Sequence, residues 1–329
     1  MKIVFVSSDH NCAVGSYRIW VRDLNKYFNE AGINSQITAV TEEVEKADVI
    51  IVSKNDSHLI QPLKEKYTDK IYGAINLASD NDHVGQDFII VGSIEEKISL
   101  SHHPNVFYFP LIEDMFRDIP LKTHSNKKNL IFGYHGSHTH LCKFSPYLTT
   151  ALEEFSETNP ITLKIITSPG FKSWTVGIPK IPNITLEYWN YDTIEKSLRE
   201  CDIGLVPNVT SMTPGEFDKT VTDPDLGLYS TDYTIRFKNK SNAGRAFVFH
   251  QLGIPVVADI TPSNFHLLGD EQCGYLAHYK HSWLKAFENL KDPSHRTEVS
   301  RSAKLKFDQE YDPIQWAQKV YNEIRRIKK

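Results

Sequence analysis

The chain has 329 residues, enough for two domains that each bury a core. With 37 basic against 41 acidic residues the net charge is -4, which argues against a dedicated nucleic-acid binder, and 40% apolar content is ordinary for a globular chain. Cys12, Cys142, Cys201 and Cys273 are too scattered for a zinc knot or a disulfide scaffold. The first apolar run is too short for a signal peptide, and none approaches the roughly 20 residues that span a bilayer. The expectation is a soluble, cytoplasmic protein.

Residues 2–7 read as a buried strand, followed by a polar loop containing Asp9, His10 and Gly15. A helix is expected over 16–31, with Trp20, Leu24, Tyr27 and Phe28 on one face and Gly32 as its stop. Further strands are expected at 35–40, 49–53, 71–77, 88–91 and 106–109, with helices at 57–67 and 94–101. Strand–helix alternation with short apolar strands implies a parallel, doubly wound sheet. Ligands of such sheets sit at the carboxyl ends of the strands. Two loops are candidates there: one with Asp9, His10, Gly15, Ser16 and Arg18, the other 78–83 with Asp82 and His83.

Residues 112–128, with Pro120 and a polar run ending at Lys128, read as a linker. A second series of strands follows at 130–133, 162–167, 185–188, 203–207, 256–259 and 274–277. Helices are expected at 145–155, 192–200, 241–252 and 282–290. An amphipathic helix over 312–329 carries Trp316, Val320, Ile324 and Ile327 on one stripe. The fold class is therefore α/β, two Rossmann-like domains facing each other across a cleft. Their expected extents are 1–118 and 119–311, with helix 312–329 packing back on the first domain.

The run Lys238-Asn239-Lys240-Ser241-Asn242-Ala243-Gly244-Arg245 brings a basic loop to a helix start, with Ser241 as the expected N-cap. Free N–H groups and fixed cations there make a phosphate site. Gly136 and Ser137, in the loop after the strand at 130–133, permit close backbone approach to a phosphate or sugar, and Lys143 adds a charge. His138, His140 and Cys142 are good metal ligands by type, but one short loop without a fourth ligand is weak evidence, and no metal is expected. Tyr188 and Trp189 end a strand, where they either stack on a base or pack into the core. The polar loop 210–233 reads as a lid or as disorder.

In order, Gly133-Tyr134-His135-Gly136-Ser137, Trp189, Cys201-Asp202-Ile203-Gly204-Leu205-Val206-Pro207, Lys240-Ser241-Asn242 and Gly253-Ile254-Pro255-Val256-Val257-Ala258 resemble GT-B-fold glycosyltransferases. The chain is most similar to the "glycosyl transferases group 1" family. The resemblance implies a nucleotide-sugar donor in the C-terminal domain, an acceptor in the N-terminal domain, and no metal or other cofactor. Donor diphosphate contacts would come from Gly136, Ser137, Lys143, Lys238, Lys240, Ser241, Asn242 and Arg245, and base contacts from Tyr188 and Trp189. Gly15, Ser16 and Arg18 would hold the acceptor. In an inverting enzyme Asp9, His10, Asp82 or His83 would be the general base. One departure stands out. The family's paired glutamates, counted back from Pro255, fall on Val248 and Lys240, so the ribose contact is absent or supplied elsewhere and the stereochemical outcome is open.

The implied activity is hexosyl transfer to a hydroxyl of a glycan or lipid-linked acceptor, as in polysaccharide biosynthesis. A sugar-nucleotide epimerase of the same fold and a noncatalytic two-domain sugar- or nucleotide-binding protein are the alternatives. The terminal Arg325-Arg326-Ile327-Lys328-Lys329 suits a helix C-terminus and leaves peripheral contact with the inner face of an anionic membrane open.

Overall fold

The computed structural model describes residues 1–329 except 13, 40, 78–84, 145, 169–170, 172, 175, 209–239, 271 and 328–329. The chain divides into two compact units, one formed by Met1–Asp114 with Gln309–Lys329, the other by Met115–Asp308. Each is built on a six-stranded, wholly parallel sheet flanked by helices. Among the described residues no helix is long and apolar enough to cross a membrane.

The first sheet contains β1 (Ile3–Val6), β2 (Ser35–Thr38), β3 (Val49–Ser53), β4 (Ile71–Ile75), β5 (Phe88–Val91) and β6 (Val106–Tyr108), in the order β2-β1-β3-β4-β5-β6. Alternating residues feed two cores. Ile3, Phe5, Val49 and Ile51 pack one face with Leu24 and Phe28, while Val4, Val6, Ile50 and Val52 pack the other with Ile60 and Leu63. The helix expected after β1 is divided. It begins as α1 (Gly15–Tyr17), widens to a π-helical stretch over Arg18–Asp23, and resumes as α2 (Leu24–Glu30). The segment expected to be helical at 57–67 starts as a 3₁₀ turn, Lys54–Leu59, before α3 (Ile60–Lys66). At α4 (Ile94–Ser99), Ser93 Oγ accepts from the Glu96 N–H at 3.1 Å, and Glu96 Oε2 accepts from the Gly92 N–H at 3.2 Å. That reciprocal pairing caps the helix start.

The second sheet contains β7 (Leu130–Gly136), β8 (Ile161–Thr167), β9 (Ile184–Tyr188), β10 (Ile203–Val206), β11 (Val256–Asp259) and β12 (Tyr275–Ala277), in the order β12-β11-β10-β7-β8-β9. This is the doubly wound order of a dinucleotide-binding sheet, with the first strand central. Its helices are α5 (Tyr147–Thr158), α6 (Ile194–Arg199), α7 (Gly244–Gln251), α8 (Pro262–Leu268), α9 (Lys280–Asn289) and α10 (Pro293–Glu310). The chain then returns to the first unit as α11 (Pro313–Ile324), whose Ala317, Val320 and Ile324 join the core beside Phe28. Asp312 caps α11 by accepting from the Ile314 and Gln315 N–H groups.

Helices α8 and α10 are absent from the sequence expectation, although Thr261-Pro262 and Asp292-Pro293 are start signals for both. The segment expected as a linker is instead strapped to the second unit from Met115 onward. The Phe116 N–H donates to Gln251 Oε1 at 2.8 Å, and the Lys122 N–H to the Leu252 carbonyl at 2.9 Å. Lys122 and Lys127 both reach Asp202 Oδ1, at 3.0 and 2.8 Å. A linker-like composition is also what an extended strap over polar groups requires.

The helix expected from Ser241 begins at Gly244, and Ser241 is not its cap. Asn242 Oδ1 instead accepts from the Gly244 N–H at 3.0 Å, a shorter-range turn that puts Ala243 at the cap position and leaves Ser241 two residues before it and 4% exposed.

Candidate functional site

In a sheet of this order, the crevice lies outside the carboxyl ends of the two strands where the winding reverses, here β7 and β10. Helix α7 is pressed onto that region of the sheet by Phe249. A Cβ on Gly204 would lie 2.6 Å from the Phe249 ring, and one on Gly133 would lie 2.4 Å from Cys201 Sγ, so both strands need glycine for this close packing.

Arg245 in the first turn of α7 is gripped on several sides. Its Nη2 donates to the Pro207 carbonyl at 3.0 Å and to Asn208 Oδ1 at 2.5 Å, just beyond β10. The guanidinium carbon lies 5.4 Å from the centre of the Tyr134 ring in β7. A side chain at Gly136, where φ is +134°, would bring a Cβ within 3.3 Å of Arg245 Cδ. The other end nitrogen, Nη1, is buried and has no hydrogen-bond partner among the described residues; Ser241 Oγ is in the same condition.

His135 supports the same helix end. Its Nε2 lies 3.2 Å from the Arg245 carbonyl, which can only accept, so that nitrogen carries the proton. Burial lowers its pKa to about 4, and the Arg245 charge acts in the same direction. The imidazole is therefore a neutral donor at pH 7. Asn208 and Asp259 complete the buried polar layer, with the Asn208 N–H donating to Asp259 Oδ2 at 2.7 Å.

The remaining expected donor contacts lie at other positions of the same unit. Ser137 is exposed, its carbonyl accepting from the Tyr134 hydroxyl at 2.8 Å. Lys143 is 6% exposed within a 3₁₀ segment, His138–Phe144. Lys240 is half-buried in the turn before α7, and its carbonyl accepts from Asn242 Nδ2 at 3.3 Å. Tyr188 and Trp189 stand at the carboxyl end of the edge strand β9, with Tyr188 exposed and Trp189 half-buried against Tyr191. Lys238 and the loop 210–233 lie outside the described residues. His138 Nδ1 lies 2.8 Å from Ser168 Oγ, Cys142 donates to the Thr139 carbonyl, and among the described residues no three such side chains are grouped as metal ligands.

In the first unit the winding reverses between β1 and β3, and a crevice opens there, lined by Ser7, Asp9, Ser16, Ser53, Lys54 and Asn76. Asp9 accepts from the Asn11 N–H at 2.9 Å, the exposed His10 lies 3.4 Å from the Tyr17 hydroxyl, and Gly15 opens α1. Arg18 does not line this crevice. It sits in the π-helical stretch, 4% exposed, where it pairs with Glu113 and donates to the Cys12 carbonyl at 3.2 Å. Burial raises the Glu113 pKa while Arg18 opposes that rise. Asp82 and His83 lie outside the described residues.

Solved structures carry the same pair of sheets. Sucrose-phosphate synthase from Thermosynechococcus elongatus is similar at a TM-score of 0.64 and 11% identity, over 98% of both chains. Anabaena HepE, in complex with UDP and glucose, gives 0.60 at 10% identity over 99% of this chain and all of its own. The fold is of the GT-B type. TarM, with a TM-score of 0.53 and 12% identity, shares this GT-B architecture over 86% of the present chain, which spans 57% of TarM. No protein-family model and no curated protein sequence matches the chain. Within the GT-B fold, the crevice beyond β7 and β10 belongs to the C-terminal sheet. Sequence reasoning named Arg245 and Ser241 there but missed Asn208, whose only local signal was its place after Pro207 at a strand end.

Proposed function

We propose that the chain is a glycosyltransferase that takes a sugar from a nucleotide donor held at the β7/β10 crevice. One observation carries this reading: the buried Arg245 Nη1 and Ser241 Oγ have no partner among the described residues, at the point of a doubly wound sheet where phosphates bind. An orphaned buried donor costs about 1–3 kcal/mol, and a phosphate oxygen would remove that cost. Glycosyl transfer leaves negative charge on the departing diphosphate. A fixed guanidinium, with Lys240 and the start of α7 beside it in sequence, would stabilise that charge without reorganising. Metal-independent chemistry follows from this reading, with no cofactor beyond the donor.

The acceptor is proposed to bind the crevice of the first unit, where Asp9, Ser16 and Lys54 offer hydrogen bonds to sugar hydroxyls. A glycan or lipid-linked glycan, met at the cytoplasmic face of a membrane, is the acceptor class proposed. Because HepE was solved with UDP and glucose, UDP and its sugars head the donors to be tried.

The test is a thermal-shift panel of UDP, GDP, CMP, ADP and dTDP with their sugar conjugates, on wild type and Arg245→Ala, followed by nucleotide-release assays with candidate acceptors. Selective stabilisation by one diphosphate, lost in the variant, with release that depends on acceptor, is the expected result. Stabilisation with sugar isomerised and no acceptor required would instead make the chain an epimerase. Closure on ligand without turnover would make it a binding protein, and no stabilisation by any nucleotide would end the donor-site reading.

A further inference from the structure

The way the Arg245 guanidinium is turned is set in part by Asn208. Asn208 is 1% exposed and uses every polar atom of its backbone N–H and side chain. Its N–H donates to Asp259 Oδ2 at 2.7 Å, its Nδ2 to the Asn242 carbonyl at 3.2 Å, and its Oδ1 accepts from Arg245 Nη2 at 2.5 Å. The amide cannot be reversed, because that would set two donors against each other at Arg245 and two acceptors at Asn242. With Nη2 also held by the Pro207 carbonyl and the guanidinium over Tyr134, the buried Nη1 is left without a partner among the described residues.

Two groups of residues stand at this crevice: Gly136 at the end of β7 with Ser137 after it, and Arg245 in the first turn of α7 with Ser241 in the turn before it. On the phosphate-site reading a diphosphate, with two phosphoryl groups, would engage both, and a monophosphate only one. We propose that Asn208 is a positioning residue that holds Arg245 for the distal phosphate of a nucleoside diphosphate and thereby sets the preference for diphosphate over monophosphate. This rests on the reading of the crevice as a phosphate site.

The experiment is equilibrium binding of UDP and UMP, or of the pair whose diphosphate performs best in the panel, to wild type, Asn208→Ser, Arg245→Ala and the double variant. Melting temperatures are recorded alongside. Asn208→Leu is kept out, because an apolar side chain beside Asp259 and Arg245 invites misfolding; serine is small, polar and too short to reach Arg245. Wild type should prefer UDP. Asn208→Ser should lower UDP affinity by about tenfold or more and leave UMP within a few-fold, and it should add nothing in the Arg245→Ala background. An unchanged UDP-to-UMP ratio in Asn208→Ser, or an equal loss for both ligands that persists without Arg245, overturns the proposal and leaves the phosphate site standing. Failure of wild type to bind either ligand of any pair overturns both together.

Discussion

Phe249 lies directly on Gly204: a Cβ added to that glycine would sit 2.6 Å from the ring. The contact joins β10 to α7, the helix whose first turn carries Arg245. Packing in the sheet and placement of a candidate ligand group are thus one geometric problem. Gly204→Ala should destabilise the protein by about 1–3 kcal/mol through overpacking. The check is denaturant unfolding, and a variant as stable as wild type would show that α7 can lift away freely.

Arg245 is tied to Pro207 and Asn208 and still has one buried nitrogen without a partner among the described residues. If a phosphate fills that vacancy, Arg245→Lys should weaken nucleotide diphosphate binding by roughly tenfold, because an ammonium cannot donate in two directions along one plane. Titration calorimetry with the best-binding diphosphate reads the change. Equal affinity in the lysine variant would mean that charge alone is recognised.

Asp202 is buried and accepts from Lys122, Lys127 and the Ile131 N–H. Burial works against its ionised form but is outweighed by Lys127, Lys122 and that N–H, so its pKa lies below the ordinary carboxylate value. Asp202→Ala leaves the largely buried Lys122 ammonium uncompensated, and the expected loss is about 3–5 kcal/mol. Urea unfolding of the variant beside the Asp202→Ala, Lys122→Met double variant tests this, since removing both charges should recover part of the loss.

Buried histidines should make the protein acid-sensitive. Burial lowers the pKa of His124 and His135 to about 4 and of His250 to about 3. Unfolded, each takes a proton near pH 6.5, so between about 6.5 and 4 the unfolded chain binds more protons than the folded one and stability falls as pH falls. Asp202 adds a further loss only below the ordinary carboxylate range. His250 has no hydrogen-bond partner among the described residues, so His250→Leu should fold and flatten the slope between pH 6.5 and 4 in denaturant midpoints. An unchanged slope would remove His250 from the account.

Much of the architecture was legible in the residues themselves. Ile3-Val4-Phe5-Val6 and Val49-Ile50-Ile51-Val52 are continuous apolar runs, as strands buried on both faces must be, and their alternation with helices implied parallel sheets. The stripe of Val320 and Ile324 marked the terminal helix as one with a face to bury. Local chemistry misled at Ser241, where a cap was expected by type, because Asn242 makes the competing turn one residue later. The π-helical stretch over Arg18–Asp23 has no signature in side-chain periodicity at all.

The sequence by itself determined the α/β class, nearly all the strands and the short basic stretch at the start of α7, since these depend on neighbours a few positions apart. Tertiary structure alone decided which polar groups meet. Packing of α7 on β10 brings Arg245 to the end of that strand, and only then does it reach Asn208, while Arg18, equally basic in the sequence, is turned aside to Glu113. A side chain's type is carried locally, but its partner is chosen by winding the sheet, and a buried hydrogen bond exists only after that choice is made.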